Sequence, residues 1–386
     1  MFFIGASNLL LAMLWWSAWL TAMRWPTLGM PQPFPYAGWL HAFIMQYQML
    51  PSFMFGFLLT TFPRWTGQPD FARWYYLPIG VGIFGGQIAT LLGALGWHAG
   101  ILVGFWLTLA GWTTGLVLLA LPLWRAHGVT WHALSCYAAL LLGYIGLLAW
   151  GALLYRDSAW WAFANIKIGT FGLLLPIFLT VAHRMYPFFA GNVVSGYRPW
   201  RPPWLLGAFW VLCLAHLGLE LMHMYERLWW VDLPMLALTA TMLWRWWPRG
   251  PKPGLLTVLF IALAWLPLTF ALYTGQSLAY AATGIYWLGR APAHALFIGF
   301  FASTLIAMVT RVTQGHAGRP LTMPATAWFA FAAIQLVALL RVVAEIAPDP
   351  LSWEVLAAIG WLVAFAPWVL RVGGIWLSPR VDDRPG

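Results

Sequence analysis

The chain has 386 residues, of which 62% are hydrophobic and only 8% are charged, and its formal net charge is +10. Because soluble domains carry about 25% charged residues, this composition excludes a water-soluble globular protein and predicts an integral protein of the lipid bilayer. The positive charge does not indicate binding to nucleic acid, since the basic residues stand singly between apolar segments.

Apolar segments of membrane-spanning length follow one another along the chain, including the N-terminal one, which lacks the features of a signal peptide. A helix needs about 20 apolar residues to cross the hydrocarbon core. With proline, glycine and charges as boundaries, the sequence predicts an all-α polytopic protein with a single transmembrane domain (1–386). Segment 275–290 is predicted to lie at the membrane interface. The twelve predicted spans are 4–24, 36–62, 74–96, 98–122, 130–154, 159–184, 203–225, 228–247, 254–274, 291–312, 323–345 and 352–377.

The basic residues are distributed unevenly between the two predicted sides of the membrane. One side, which includes both termini, holds Arg64, Arg73, Arg125, Arg184, Arg198, Arg201, Arg245, Arg249, Lys252, Arg311, Arg319, Arg371, Arg380 and Arg384. The other side holds Arg24, Arg156, Arg227, Arg290 and Arg341, together with the acids Asp157, Glu226, Asp232, Glu345, Asp349 and Glu354. The positive-inside rule therefore predicts that both termini are cytoplasmic.

Five of the nine histidines fall in the external half of the membrane under this orientation: His41, His98, His216, His223 and His294. His41 and His294 begin spans two and ten. The others, His127, His132, His183 and His316, fall near the cytoplasmic face. Neutral imidazoles grouped at one depth are typical of a metal or haem site.

Span seven carries ionisable residues at helical spacing, in "CLAHLGLELMHMYER". Cys213, His216, Glu220 and His223 would fall within roughly an 80° sector of one helix. Imidazole, carboxylate and thiolate together suit copper, iron or zinc, and a carboxylate inside a span is costly. The pattern predicts a metal site or a proton relay; alternatively, it is a polar stripe between helices, with Glu220 protonated. Lys167 in span six either pairs with Glu220 or extends toward the interface.

Similar motifs close spans two, six and ten. Thr60 precedes Arg64 as Thr180 precedes Arg184, and Thr310 lies beside Arg311 in the third motif. This spacing favours three four-helix units, although arginines that anchor helix ends would look the same. His183 and His316, in the second and third motifs, either form a cytoplasmic site or hydrogen-bond at helix ends.

The chain resembles the NnrS family at "HAFIM" (41–45), "GFLLTTFPRWTG" (56–67), "HRMYPFF" (183–189), "WLPL" (265–268) and "HALFIGFFASTLIAMVTRVTQGHAGRPL" (294–321). The resemblance implies a membrane protein that contains haem and copper and is linked to nitric oxide stress. The chain departs from the commoner family form at Phe43, Ile44 and Phe260, where the family often has His, Glu and His.

A more distant resemblance connects "HAFIM" and the helix that begins at His294 to the haem-copper oxidases, which have twelve helices in three four-helix arcs. It implies that His41 and His294 are the two axial ligands of one haem b. Arg290 and Arg341 would then pair with the haem propionates. His216, Glu220 and His223 would hold copper or non-haem iron.

Three functions are consistent with these patterns. The first is a haem b protein that binds nitric oxide or transfers electrons in nitrosative stress. The second is a quinol-linked oxidoreductase resembling nitric oxide reductase, with a haem and a His/Glu metal site. The third is a proton-coupled transporter in which Glu220 and Lys167 handle protons.

Overall fold

The computed structural model describes residues 1–126, 128, 131–156 and 158–381, and every long regular element in these ranges is a helix. Three residues used above, His127, Asp157 and Arg384, lie outside them. The helices are α1 (Phe2–Arg24), α2 (Ala37–Thr66), α3 (Tyr76–Ala94), α4 (Ala99–Arg125), α5 (Trp131–Arg156), α6 (Ala159–Val193), α7 (Pro203–Leu221), α8 (Trp229–Trp246), α9 (Gly254–Thr283), α10 (Ala291–His316), α11 (Ala325–Ala344) and α12 (Pro350–Trp376).

Eleven of these helices are long and apolar enough to cross a membrane, which confirms the all-α polytopic fold class. The exception among the described helices is α8, whose tryptophans together with Asp232 and Arg245 lower its mean hydropathy. It nevertheless forms a helix at the position of the predicted eighth span. Hydrophobic length was sufficient to locate the helices because the bilayer requires all backbone groups to bond within each span.

The segment after the ninth span differs from its prediction. Residues up to Thr283 continue α9 as a helix of 30 residues, so most of the predicted interfacial segment 275–290 extends that span. Gly284 then ends the helix in a left-handed conformation (φ 69°), which glycine adopts without steric cost. The short turn predicted near 96–98 is confirmed, since α3 ends at Ala94 and α4 begins at Ala99.

Three of the helices contain a π-helical segment: Ile44–Met49 in α2, Ile168–Leu174 in α6 and Ala295–Ala302 in α10. π-helical turns are rare, and they occur frequently at functional sites. They recur in every fourth helix, and these are the three helices that carry the similar Thr/Arg motifs. The segment in α10 directly follows His294, and the one in α2 begins shortly after His41.

The chain divides into two compact units, Met1–Val181 and Ala182–Gly386, with the boundary inside α6. The first unit contains α1–α5 and most of α6, and the second contains α7–α12. In the second unit, α9 packs against α8 and α10, and α11 packs against α12.

In the first unit, α3 and α4 approach closely through facing glycines. A Cβ atom added to Gly82 would lie 2.6 Å from the Cα of Gly111, and one added to Gly100 would lie 2.5 Å from the carbonyl oxygen of Ala89. Small residues at such contacts let membrane helices approach backbone to backbone.

Replacing Gly82 with alanine should therefore lower the free energy of unfolding by about 1–3 kcal/mol, because the backbone of Gly111 cannot move aside as a flexible side chain would. The matched control is Gly207→Ala in α7, where an added Cβ has nothing within 4 Å. Unfolding in mixed micelles measures both. Equal stabilities of the two variants would contradict the close contact.

Candidate functional site

The second unit encloses three ionisable side chains that contact one another. His216 and Glu220 lie one turn apart on α7, and Asp232 lies in the first turn of α8. All three are buried, with 1%, 0% and 0% of their surfaces exposed. Buried ionisable groups in membrane helices are costly and commonly functional.

One imidazole lies between the two carboxylates. His216 Nδ1 donates a hydrogen bond of 2.6 Å to Asp232 Oδ1, and His216 Nε2 lies 3.5 Å from Glu220 Oε1. The short bond to Asp232 fixes which ring nitrogen faces Glu220. A single imidazolium cannot neutralise two carboxylates, so the cluster is electrically neutral only with a further proton or another cation.

Tyrosines surround the cluster. The ring of Tyr273 in α9 meets the imidazole of His216 edge to face, with centroids 5.2 Å apart. Beyond the end of α7, burial raises the pKa of Tyr225 to about 12, and the charge of Glu220 adds to the rise. Burial, followed by the charge of Glu220, also raises the pKa of Tyr286. These phenols remain protonated at neutral pH and can donate hydrogen bonds.

Of the four predicted metal ligands of span seven, His216 and Glu220 lie together, whereas His223 does not join them. Helix α7 ends at Leu221, so His223 leaves the helical period on which the prediction depended. It is exposed, has a left-handed backbone (φ 56°), and its Nδ1 lies 2.8 Å from the hydroxyl of Tyr225. Cys213 is buried on α7. Among the residues that the structure describes, no group of three or more His, Cys, Asp and Glu side chains is placed to hold a metal ion.

Asp232 belongs to the cluster but was not predicted as a site residue. In the sequence it counts among the acids of the predicted external side. A signal was present, since an acid in the first turn of a span of membrane length is unusual. Its partner could not be found from the sequence, because the contact joins two different helices.

His294 lies in the second unit at the start of α10. Its Nδ1 donates a hydrogen bond of 2.9 Å to the carbonyl oxygen of Arg290. This bond places the ring proton on Nδ1 and leaves the lone pair on Nε2, which is the arrangement of most histidines that ligate metals.

His41 lies in the first unit, in the first turns of α2. Its ring stacks on Trp16 of α1, with centroids 4.2 Å apart and planes 9° apart. Trp16 also stacks on Trp19, at 5.3 Å and 8°. Phe43, where the family often has histidine, is buried and stacks on Trp150 at 4.3 Å.

The two arginines predicted to hold propionates form an ion-pair network within the second unit. Arg341, whose side chain is 8% exposed, contacts Glu345 at 2.8 Å and Glu354 at 2.9 Å. Arg290, whose side chain is 61% exposed, lies 3.6 Å and 3.5 Å from the same two carboxylates. The network therefore connects the residue that precedes α10 with α11 and α12.

Other candidate residues have local partners. His183 is buried within α6, which continues to Val193 and so extends past the predicted end of span six at 184, and its Nε2 donates a hydrogen bond of 3.2 Å to the carbonyl oxygen of Pro202. His316 is exposed at the end of α10. The ammonium group of Lys167, in the first unit, lies 5.3 Å from the ring centroid of Phe163.

The model of one protein family, described as NnrS protein, matches residues 1–380. A search of curated proteins found no match.

Proposed function

The chain belongs to the NnrS family, and from this premise we propose that it is a haem b protein that acts in nitric oxide metabolism under nitrosative stress. It binds nitric oxide or transfers electrons through a haem with two histidine ligands. Its proposed location is the bacterial cytoplasmic membrane, with both termini in the cytoplasm.

The observation that carries this proposal is the geometry of His294. Its Nδ1–H is held by the Arg290 carbonyl, so Nε2 is the basic nitrogen of the neutral ring, directly before a π-helical segment. A neutral imidazole in this tautomer suits an axial ligand of haem iron. The donor set thus fits the group that the family resemblance implies.

His41 is the proposed second axial ligand. It occupies the corresponding place in the first unit, shortly before the π-helical segment of α2. Stacking on Trp16 restricts the orientation of its ring. When bound, haem iron would supply reversible one-electron chemistry and a site for nitric oxide.

The network of Arg290, Arg341, Glu345 and Glu354 supports His294 indirectly. It holds the side chain of Arg290, whose backbone carbonyl oxygen accepts a hydrogen bond from His294 Nδ1. We propose that this network positions the axial ligand. Both guanidinium groups have carboxylate partners within the protein. Pairing of Arg290 and Arg341 with the haem propionates therefore stays a prediction.

Adding nitric oxide to the reduced, detergent-purified protein tests the proposed function. We expect a haem b spectrum that changes to that of a nitrosyl complex. A haem that keeps its two ligands and does not react would indicate electron transfer instead. Protein that carries no haem, even after expression with added haem precursor, would overturn the proposal.

The second candidate function is reduction of nitric oxide with electrons from quinol, at a haem beside copper or non-haem iron. The buried pair His216 and Glu220 favours it, because imidazole and carboxylate suit both metals and Asp232 orients the imidazole. The supporting result would be copper or iron in excess of the haem iron in the wild type. Glu220→Gln should then lose this extra metal and retain the haem. Haem iron as the sole metal would count against it.

The third candidate, a proton-coupled transporter, is favoured by the same buried His216, which lies between two carboxylates. Lys167, its other predicted component, lies in the first unit and has Phe163 beside it. A haem-bearing preparation would count against this candidate.

A further inference from the structure

Four helices of the first unit bring polar side chains together in its interior. The side chains come from α1, α2, α3 and α4, and each is at most 1% exposed. The members of this polar cluster are Asn8, Gln48, Ser52, Gln87, Thr90 and Thr108. Uncharged polar groups at membrane depth need hydrogen-bond partners inside the protein, because hydrocarbon offers none.

The direction of the Gln48 amide is settled by its neighbours. Its Nε2 donates to the hydroxyl oxygens of Thr90 and Thr108, at 3.0 Å each. Both hydroxyls donate their own protons to backbone carbonyls, those of Gly86 and Gly104. The hydroxyl oxygens can therefore only accept from Gln48, so its Oε1 points elsewhere.

The same reasoning fixes the other two amides. Asn8 Nδ2 donates to the hydroxyl oxygen of Ser52 at 3.1 Å, while Ser52 donates to the carbonyl of Gln48 at 2.8 Å. Gln87 Nε2 donates to the backbone carbonyl oxygen of Asn8 at 2.7 Å. Reversing either amide would place two acceptors face to face.

Three amide oxygens are left over: Asn8 Oδ1, Gln48 Oε1 and Gln87 Oε1. Each is buried, and the described residues supply none of them with a hydrogen-bond donor. By contrast, Gln335 in the second unit has both ends satisfied, since Oε1 accepts from Trp265 at 2.6 Å and Nε2 donates to Ser303 at 2.7 Å.

An unsatisfied buried acceptor costs about 1–3 kcal/mol, so three in one cluster require donors that the protein itself does not provide. The donor should be uncharged. In α1–α4 the sequence has no acidic residue, and its only basic residues, Arg24, Arg64 and Arg125, lie near helix ends. A cation in the cluster would have no counter-charge.

We propose that the polar cluster binds internal water. Water donates to two acceptors at once, and buried water typically makes about three hydrogen bonds to groups that otherwise lack partners. The site lies beside the π-helical segment that contains Gln48, so it brings water to membrane depth within the first unit. This inference does not depend on haem binding.

Radiolytic hydroxyl-radical labelling of the full chain in lipid nanodiscs tests the proposal, because radicals formed from bound water oxidise adjacent side chains even when bulk solvent cannot reach them. We expect oxidation of Met49 (1% exposed), read at the level of single residues, because the neighbouring Met45 is only half-buried and would be labelled from bulk solvent. The internal standards are Met235 and Met242 in α8, at 1% and 0% exposed, which should remain unlabelled.

The double variant Gln48→Leu/Gln87→Leu removes two of the three acceptors, and labelling of Met49 should fall to the level of the standards. Gln335→Leu, the matched control, should leave it unchanged. Absence of labelling in the wild type would overturn the proposal, and so would unchanged labelling in a folded double variant. The proposal would also fail if replacing sodium and potassium with N-methylglucamine abolished the labelling, because the site would then hold a cation.

Discussion

Replacing Asp232 with alanine is expected to lower the free energy of unfolding by about 1–3 kcal/mol, the cost of leaving a buried hydrogen-bond donor without its partner. Asp232 accepts a hydrogen bond of 2.6 Å from His216, and neither side chain is more than 1% exposed. Without it, the buried Nδ1–H of His216 loses its acceptor. Chemical unfolding in mixed micelles measures the loss.

The matched control is Asp70→Ala. Asp70 forms an ion pair with Arg64 at 3.4 Å, but the two side chains are 61% and 62% exposed. Solvent screens exposed pairs, so this change should cost at most about 1 kcal/mol. If Asp232→Ala were no less stable than Asp70→Ala, the buried cluster would be contradicted.

A triple variant tests whether the buried cluster contributes to the stability of the fold. Replacing His216, Glu220 and Asp232 together by leucine removes all of the buried charge, and such replacements are often neutral or stabilising. We therefore expect this triple variant to be more stable than Asp232→Ala. That result would mean that the cluster does not contribute to the stability of the fold.

The helices could be predicted from the sequence because membrane spans are defined by apolar length, a local property. Even α8, with Asp232 and Arg245, was placed correctly by its position between neighbouring spans. The extension of α9 to Thr283 was not predicted, because Gln276 and Ser277 resemble interfacial residues in the sequence but are buried in the structure.

The buried cluster could be predicted only in part. The spacing of His216 and Glu220 placed them correctly on one face of α7. His223 was assigned to the same face because the end of α7 at Leu221 has no proline to mark it. Asp232 approaches from α8, and contacts between helices are not encoded in the periodicity of either one. The three π-helical segments were not predicted from the sequence either.

Loss of haem is the second large effect that we expect. If His41 and His294 ligate haem iron as proposed, removing either imidazole would leave the iron with one protein ligand, so His41→Ala and His294→Ala should each yield a five-coordinate haem or none. Their surroundings differ. His294 is held by the carbonyl of Arg290, whereas His41 is held by stacking on Trp16. Conversion to a five-coordinate haem, with the fold retained, would distinguish loss of a ligand from unfolding.

The measurement that tests this most directly is the visible spectrum of the purified protein, oxidised and reduced, for the wild type, His41→Ala and His294→Ala. His98→Ala, at an exposed histidine outside the helices, is the matched control. We expect a six-coordinate haem b spectrum in the wild type and in the control. In His41→Ala and His294→Ala, this spectrum should become five-coordinate or disappear. A full complement of haem with an unchanged spectrum in His41→Ala or His294→Ala would contradict it.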